Sequence, residues 1–538
     1  MHLKLRVPNA ASLVAAAVSG AALSACFPLR GWDWLAWMAL TPLFIVVARA
    51  RSGWGALASG YVAGAVFFGL SCPWIAATVH NYGGLSPALA GVVFVLFLAL
   101  MGSYVALFAW LGYWIGRRSG HRVLPLPFLW VAVELLRTYT PMGGFPWNLL
   151  GYSQVSHAGF MLVAPIAGVY GAGLIIAAAN TLLADLAMRF YASRAEGAPG
   201  WPTRRDAWLG ISLGVILGFA TWPYHPPSLP VETLRARLVQ PNTALNQNWT
   251  SASLTRFLEQ QQALSAPVHG RHVNLILWPE QPAPLAYALQ PGFQAITAMM
   301  LSRARAAFLF SEVTYPRTAQ GLPNYRFPRN SSLLIHADGT TGQRYDKVHL
   351  VPFGEYVPLP AWLQRLAGVG KMVQDVGDFV PGHKPVLFHD GGRAFATLIC
   401  YESIFPQLAR QEVLDGAQWL VNQSDDGWYG RSSAMAQGLM MARMRAIENR
   451  RWMLRDTNSG LTAVIDPYGR VRAELPPFRA GALVSGFSPR TGLTFYTRHG
   501  DWLAYLCVLI AAGFAGLALL RRPRAQPQEA PCPPAATS

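Results

Sequence analysis

Long apolar runs dominate the first 222 residues, and one more lies near the C-terminus. They fall at Ala10–Phe27, Trp34–Val47, Ala56–Ala76, Leu85–Ile115, Leu124–Leu136, Met161–Met188, Ala207–Trp222 and Trp502–Leu520. Several approach or exceed the roughly 20 residues that cross a hydrocarbon core. Two are short and need their Gly, Trp and Pro flanks to qualify. The pattern therefore predicts eight membrane spans, seven before and one after a long polar stretch.

Between the seventh and eighth runs the texture changes. Leu234–Leu238, Val273–Leu277, Ala307–Val313, Ser331–His336 and Ala394–Ile399 read as short strands. Ala252–Leu264 and Gln407–Leu414 read as helices. Such alternation predicts an α/β domain large enough for its own core. The expected organisation is a membrane domain of seven helices over 1–222, a catalytic domain over 223–500, a final span over 501–522 and a disordered tail over 523–538.

Composition agrees with this division. A hydrophobic fraction of 52% with 13% charged residues is too apolar for an ordinary soluble enzyme. The net charge of +17 would suit nucleic acid, but about half of the excess lies outside residues 224–500, beside apolar runs. Membrane-flanking arginines account for that, and nucleic acid is not an expected partner. Lys4 and Arg6, then Arg49 and Arg51, then Arg117, Arg118 and Arg122 fall on one side. Arg189, Arg194, Arg204, Arg205, Arg521, Arg522 and Arg524 join them, whereas the opposite short loops hold only Arg30 and Arg137. By the positive-inside rule both termini are expected in the cytoplasm and the α/β domain outside it. Leu23-Ser24-Ala25-Cys26 resembles a lipoprotein signal ending, but the spans that follow favour a first transmembrane helix.

Cys400 is the only one of the five cysteines inside residues 224–500, so no disulfide forms there, and the cysteines lack metal-type spacing. Three patterns carry chemistry. Leu275–Glu280 is an apolar strand ending in a carboxylate. Tyr345–Tyr356 carries Lys347 and Glu355. Ala396–Glu402 is an apolar strand ending in Cys400. A thiol needs a base or a positive field to become a nucleophile. Glu280 supplies the base, Lys347 a cation for thiolate and oxyanion, and a helix predicted from Ser403 would add its N-terminal field. Each residue also has a plainer reading. Glu280 suits a helix N-terminal charge, Lys347 an ion pair with Asp346, Cys400 a core position and His349 a structural role.

Taken together, Glu280, Lys347 and Cys400 resemble the Glu–Lys–Cys triad of the nitrilase superfamily. The run Lys347-Val348-His349-Leu350-Val351-Pro352-Phe353-Gly354-Glu355-Tyr356-Val357-Pro358 narrows the likeness to the apolipoprotein N-acyltransferases. Gly144–Trp147, Gly151–Gln154, Gln240–Asn242 with Trp249, Met441–Ala446, Asn458 and Gly460 belong to the same set. The resemblance implies a nitrilase-like α-β-β-α sandwich on a multi-pass α-helical domain in a bacterial inner membrane, facing the periplasm. It implies Glu280 as general base, Lys347 as oxyanion cation and Cys400 as acyl-accepting nucleophile. Glu355 would support Lys347, Tyr401 would offer a backbone N–H, Glu402 would flank the nucleophile, and Trp249 and Trp428 would shape a lipid cleft. No metal or cofactor is implied.

The implied reaction moves an acyl chain from a phospholipid, through a Cys400 thioester, to the α-amine of a diacylglyceryl-cysteine on an apolipoprotein. A monomer amid membrane lipids suffices for it. Asp425 where the family usually has Asn, Pro282 after Glu280, and Asp456 depart from the pattern. The alternative is a membrane-anchored amidase that uses water as acceptor. A transporter with a ligand-binding domain is a third reading, disfavoured because Glu134 and Asp185 are the only acidic residues well inside the spans. Val357–Val373 is unusually apolar and reads either as a buried connector or as a mobile lid dipping into the outer leaflet.

Overall fold

The computed structural model describes residues 9–28, 30–195, 202–267, 272–357 and 379–521. The expected lid, beyond Val357, and the C-terminal tail lie outside the described residues.

Apolar helices fill the N-terminal part: α1 (Ala10–Ala25), α2 (Thr41–Arg49), α3 (Gly53–Ser71), α4 (Trp74–Asn81), α5 (Pro87–Ser119), α6 (Leu126–Tyr139), α7 (Ala164–Ala195) and α8 (Arg204–Ala220). After the α/β part comes the last long apolar helix, Trp502–Leu520. Among the described residues, four helical stretches are long and apolar enough to cross a membrane: Gly53–Ser71, Pro87–Ser119, Phe160–Arg194 and Trp502–Leu520. The other runs expected to span are shorter as helices.

The expected second span, Trp34–Val47, is broken into a 3₁₀ turn at Asp33–Leu35, a short helix at Ala36–Ala39 and α2. Pro42 has no N–H and is tolerated only in a helix's first turn. Asn180 of α7 then stabilises the break, its side-chain oxygen accepting from the Leu40 and Thr41 amides at 2.8 and 3.0 Å. Elsewhere small residues set the helix spacing. A Cβ on Gly60 of α3 would meet the Val105 carbonyl of α5 at 2.4 Å, a close approach typical of membrane helix pairs.

Two six-stranded sheets make up the centre of the α/β part, in the orders β12-β1-β2-β3-β4-β5 and β11-β10-β9-β8-β7-β6. The strands are β1 (Leu234–Gln240), β2 (Leu275–Leu277), β3 (Ala307–Thr314), β4 (Arg329–Ile335), β5 (Thr341–Asp346) and β6 (Phe388–Asp390). They continue with β7 (Arg393–Ile399), β8 (Leu420–Ser424), β9 (Met453–Thr457), β10 (Thr462–Ile465), β11 (Val471–Leu475) and β12 (Gly481–Phe487). β1–β2–β3 and β7–β8–β9 are parallel, and the flanking strands are antiparallel. Leu238, Leu277 and Leu309 from one sheet meet Phe395, Val421 and Leu454 from the other in a dry layer. α9 (Ser251–Ser265) and α10 (Pro291–Ala304) cover one outer face. α11 (Pro406–Leu414) and α12 (Ala434–Asn449) cover the other. The four layers match the expected α-β-β-α sandwich.

α12 joins the two parts. One side packs on the second sheet, and the other packs on the apolar helices through Met440, Met441 and Met444. Arg445 and Glu448 are fully buried there and paired at 3.1 Å. Glu448 also accepts from the Val169 amide at 2.9 Å, and Arg445 donates to the Tyr152 hydroxyl at 3.0 Å. A buried ion pair survives only with such extra hydrogen bonds. Trp147 donates its indole N–H to Gln437 at 2.7 Å, and Gln437 donates in turn to the Ser71 carbonyl at 3.0 Å.

Candidate active site

Parallel strands end at one rim of each sheet, so the residues just past β2, β7 and β8 converge there. Past β2 stands Glu280. Past β7 stands Cys400, and past β8 stand Asp425 and Asp426. Cys400 opens a 3₁₀ turn, Cys400–Ile404, and takes a left-handed backbone with φ of 52°. That conformation costs a non-glycine residue about 1 kcal/mol or more and is tolerated where the surroundings hold it. Asn422 helps hold it, donating to the Leu398 and Cys400 carbonyls at 2.8 and 3.3 Å. The helix expected from Ser403 begins only at Pro406, because the tight turn comes first and Pro406 needs the opening position of α11.

Lys347, past β5, is almost wholly buried at 1% exposure and sits between two carboxylates. Its ammonium lies 2.9 Å from Glu355 and 3.3 Å from Glu280. Asn330 of β4 bridges the same two carboxylates, donating at 2.9 Å to each. The second oxygens are fixed by backbone: the Asp425 amide donates to Glu280 at 3.1 Å, and the Val351 amide to Glu355 at 2.8 Å. Glu402 fixes the Lys347 segment from behind. It accepts from the Tyr345 hydroxyl at 2.7 Å, the amides of Val348 and His349 at 2.9 and 3.0 Å, and the Ile399 amide at 2.8 Å. One buried carboxylate thus ties the lysine segment to the turn that bears the cysteine.

Burial opposes the charge on Lys347, but Glu355 and then Glu280 outweigh it and raise its pKa, so it remains an ammonium. The thiol behaves differently from the sequence expectation. Burial, followed by the Glu280 charge, pushes Cys400 well above the usual thiol range, and Lys347 and the 3.5 Å hydrogen bond from Ser424 only partly oppose this. With no helix starting at Ser403, the expected N-terminal field is missing. The resting site holds a thiol beside a base and a fixed cation, an arrangement that forms thiolate as the proton leaves. His349 is pushed down to about 4 by burial and then by Lys347, so it is neutral as it packs on Phe405 at 3.8 Å between ring centres.

Tyr401 is buried and donates its hydroxyl to the Gly144 carbonyl at 3.2 Å. Trp249 is half-buried edge-on to Phe257, beside a cavity of about 430 Å³ that Asn242, Gln247 and Arg256 also line. Trp428 is 44% exposed, packs edge-on against Tyr82, and accepts at its carbonyl from Thr78 at 2.8 Å. Asp425 accepts from the Gly427 amide and the Asn458 side chain, both at 2.9 Å. Asn330, Asn422 and the Arg455–Asp426 pair at 2.7 Å went unread in the sequence, since single polar residues in strands leave no periodic signal. Among the described residues no group of three His, Cys, Asp or Glu side chains is gathered as a metal site.

Two family models match the chain: an apolipoprotein N-acyltransferase N-terminal domain over residues 19–182 and a carbon-nitrogen hydrolase over residues 235–489. An apolipoprotein N-acyltransferase of Geobacter metallireducens is 32% identical over 531 residues, covering 97% of this chain and 99% of that protein. One from Methylococcus capsulatus is 33% identical over 528 residues, covering 95% and 97%. Among solved structures, an amidase from a Nesterenkonia species is 19% identical with a TM-score of 0.36, covering 49% of this chain and 94% of that one.

Proposed function

The chain belongs to the apolipoprotein N-acyltransferase family, and from that premise we propose how its own residues perform lipoprotein N-acylation. Glu280 takes the Cys400 proton as the sulfur attacks an ester carbonyl of a phospholipid. The oxyanion that forms is met by the Lys347 ammonium and the Tyr401 backbone N–H. Collapse breaks the ester C–O bond, the leaving lysophospholipid oxygen takes the proton from Glu280, and the acyl group remains as a thioester. The α-amine of the diacylglyceryl-cysteine then attacks, passing a proton to Glu280. Cys400 leaves as thiolate and is reprotonated by Glu280, which closes the cycle.

The observation that carries this reading is the Lys347 ammonium fixed between Glu280 and Glu355 beside the half-buried thiol. Glu355 holds the cation in place, and Glu402 couples its segment to the nucleophile turn. Trp249 and Trp428 shape the cleft for lipid. The eight-span count, the domain boundaries at 222, 500 and 522, a catalytic part outside the cytoplasm and a monomeric state belong to the same proposal. Loop arginines support the topology. A reporter fused near residue 300 that proves cytoplasmic overturns it.

The decisive experiment is intact-mass detection of an acyl adduct on Cys400 after incubation with phospholipid. Wild type is expected to carry it and to lose it to a diacylglyceryl peptide, whereas Glu280→Gln and Cys400→Ala remain unmodified. An adduct on Cys400→Ala, or none on wild type, refutes the assignment. Water as final acceptor is not favoured by the family relationship.

A further inference from the structure

We propose that the turn Pro141–Trp147, in the membrane part, is a positioning element of the active site: it fixes Tyr401 and thereby aims the backbone N–H that meets the oxyanion. This rests on the reaction proposed above. Tyr401 follows a nucleophile whose φ of 52° is sparsely populated. Asn422 and the Ser403 hydroxyl hold the Cys400 carbonyl at 3.3 and 3.0 Å. The other end of the same peptide unit, whose N–H meets the oxyanion, is anchored by the Tyr401 side chain. Three contacts anchor it. Its hydroxyl donates to the Gly144 carbonyl at 3.2 Å, and its ring stands edge-on to Phe405 at 5.1 Å and tilted against His349 at 6.0 Å.

The turn leaves little room for variation. Gly144 has φ of 92°, and a Cβ there would lie 1.9 Å from the Thr138 carbonyl. On Gly143 a Cβ would meet the His349 ring at 2.7 Å, so the imidazole occupies space that only glycine leaves free. From behind, Arg137 donates to the Phe145 and Trp147 carbonyls at 2.6 and 2.8 Å, and the Phe145 amide returns a bond to the Arg137 carbonyl at 2.8 Å. Tyr104 donates to the Thr140 carbonyl at 2.5 Å, and Thr138 bonds the Tyr170 hydroxyl at 2.6 Å. A continuous series of contacts therefore runs from α5, α6 and α7 through the turn to the residue after the nucleophile. The membrane part does more than hold the catalytic part near lipid; it completes the site.

Two reactions of the same sulfur separate this role from simple interdomain packing. Acylation by phospholipid passes through an oxyanion, whereas alkylation by iodoacetamide displaces iodide and forms none. In full-length enzyme, Tyr401→Phe keeps the ring and loses the bond to Gly144. It is expected to slow Cys400 acylation at saturating phospholipid by roughly tenfold or more, the scale of loss from a misplaced catalytic group. The half-saturating phospholipid concentration and the alkylation rate stay at wild-type values. Gly144→Ala is expected to show the same split, and the double variant is expected to be no slower than the slower single. Unchanged acylation in Tyr401→Phe overturns the proposal, and so does a parallel fall of acylation and alkylation. Absence of an adduct on wild type would instead refute the underlying reaction, so the two failures are distinguishable.

Discussion

Asp425 is an acid where the resemblance noted in the sequence implies asparagine, and the structure gives that difference a measurable consequence. Its carboxyl is buried, its backbone amide donates to Glu280 at 3.1 Å, and Asp426 follows it in sequence. Burial raises it to about 7, the Gly427 and Asn458 bonds pull the other way, and the charges of Glu280 and Asp426 add to the rise. An unfolded chain releases this proton near the ordinary value of 3.8, whereas the folded protein keeps it to about 7. Between those values unfolding releases a proton, so stability falls as pH rises. At about 1.4 kcal/mol per pH unit the loss reaches about 4 kcal/mol above pH 7 and is absent below pH 4. Asp425→Asn removes the titration. Its amide faces the Asn458 amide donor, which adds a cost that does not vary with pH. The assay is denaturant unfolding in detergent micelles, followed by tryptophan fluorescence between pH 4 and pH 8.5. Relative to wild type, the variant is expected to gain about 4 kcal/mol between pH 4 and pH 7 and to level off above that. Parallel curves, with a difference independent of pH, would refute the reasoning.

Two further outcomes are expected. Lys347→Ala leaves buried Glu280 and half-buried Glu355 around Asn330 without a cation, so unfolding in the same assay is expected to be easier by about 3 kcal/mol. Unchanged stability would show that the carboxylates do not depend on the ammonium. Glu402→Gln turns two of its acceptor sites into donors that face N–H groups; stability is expected to drop by about 1–3 kcal/mol and acylation to slow, as read by adduct formation. A full acylation rate in that variant would separate Glu402 from the lysine segment's placement.

What the sequence made legible follows from where chemistry met periodicity. Glu280 and Cys400 close strands whose apolar runs are unmistakable, and the structure places both at one rim. Lys347 stood out through its twelve-residue neighbourhood more than through any local pattern. β8 and β9 went unread because they are buried yet carry Asn422, Gln423, Arg455 and Asp456. Their polar groups bond across the sandwich, for instance Gln423 to the Trp278 carbonyl at 2.6 Å, and no hydropathy pattern encodes a partner 145 residues away. The broken second span has the same origin, since the Asn180 that stabilises it lies on α7. The thiolate-favouring field was misjudged for a local reason: a 3₁₀ turn displaced the start of α11.

The Arg445–Glu448 pair on α12 bears on how this enzyme can be handled in the laboratory. Excising the sandwich as a free-standing soluble fragment would strip the guanidinium of Tyr152 and the carboxylate of the Val169 amide. It would also bare a methionine-rich helix face to water. Inhibitor screens run on such a fragment would probe a sticky, altered protein, so detergent or nanodisc preparations of the entire polypeptide are the fitting format.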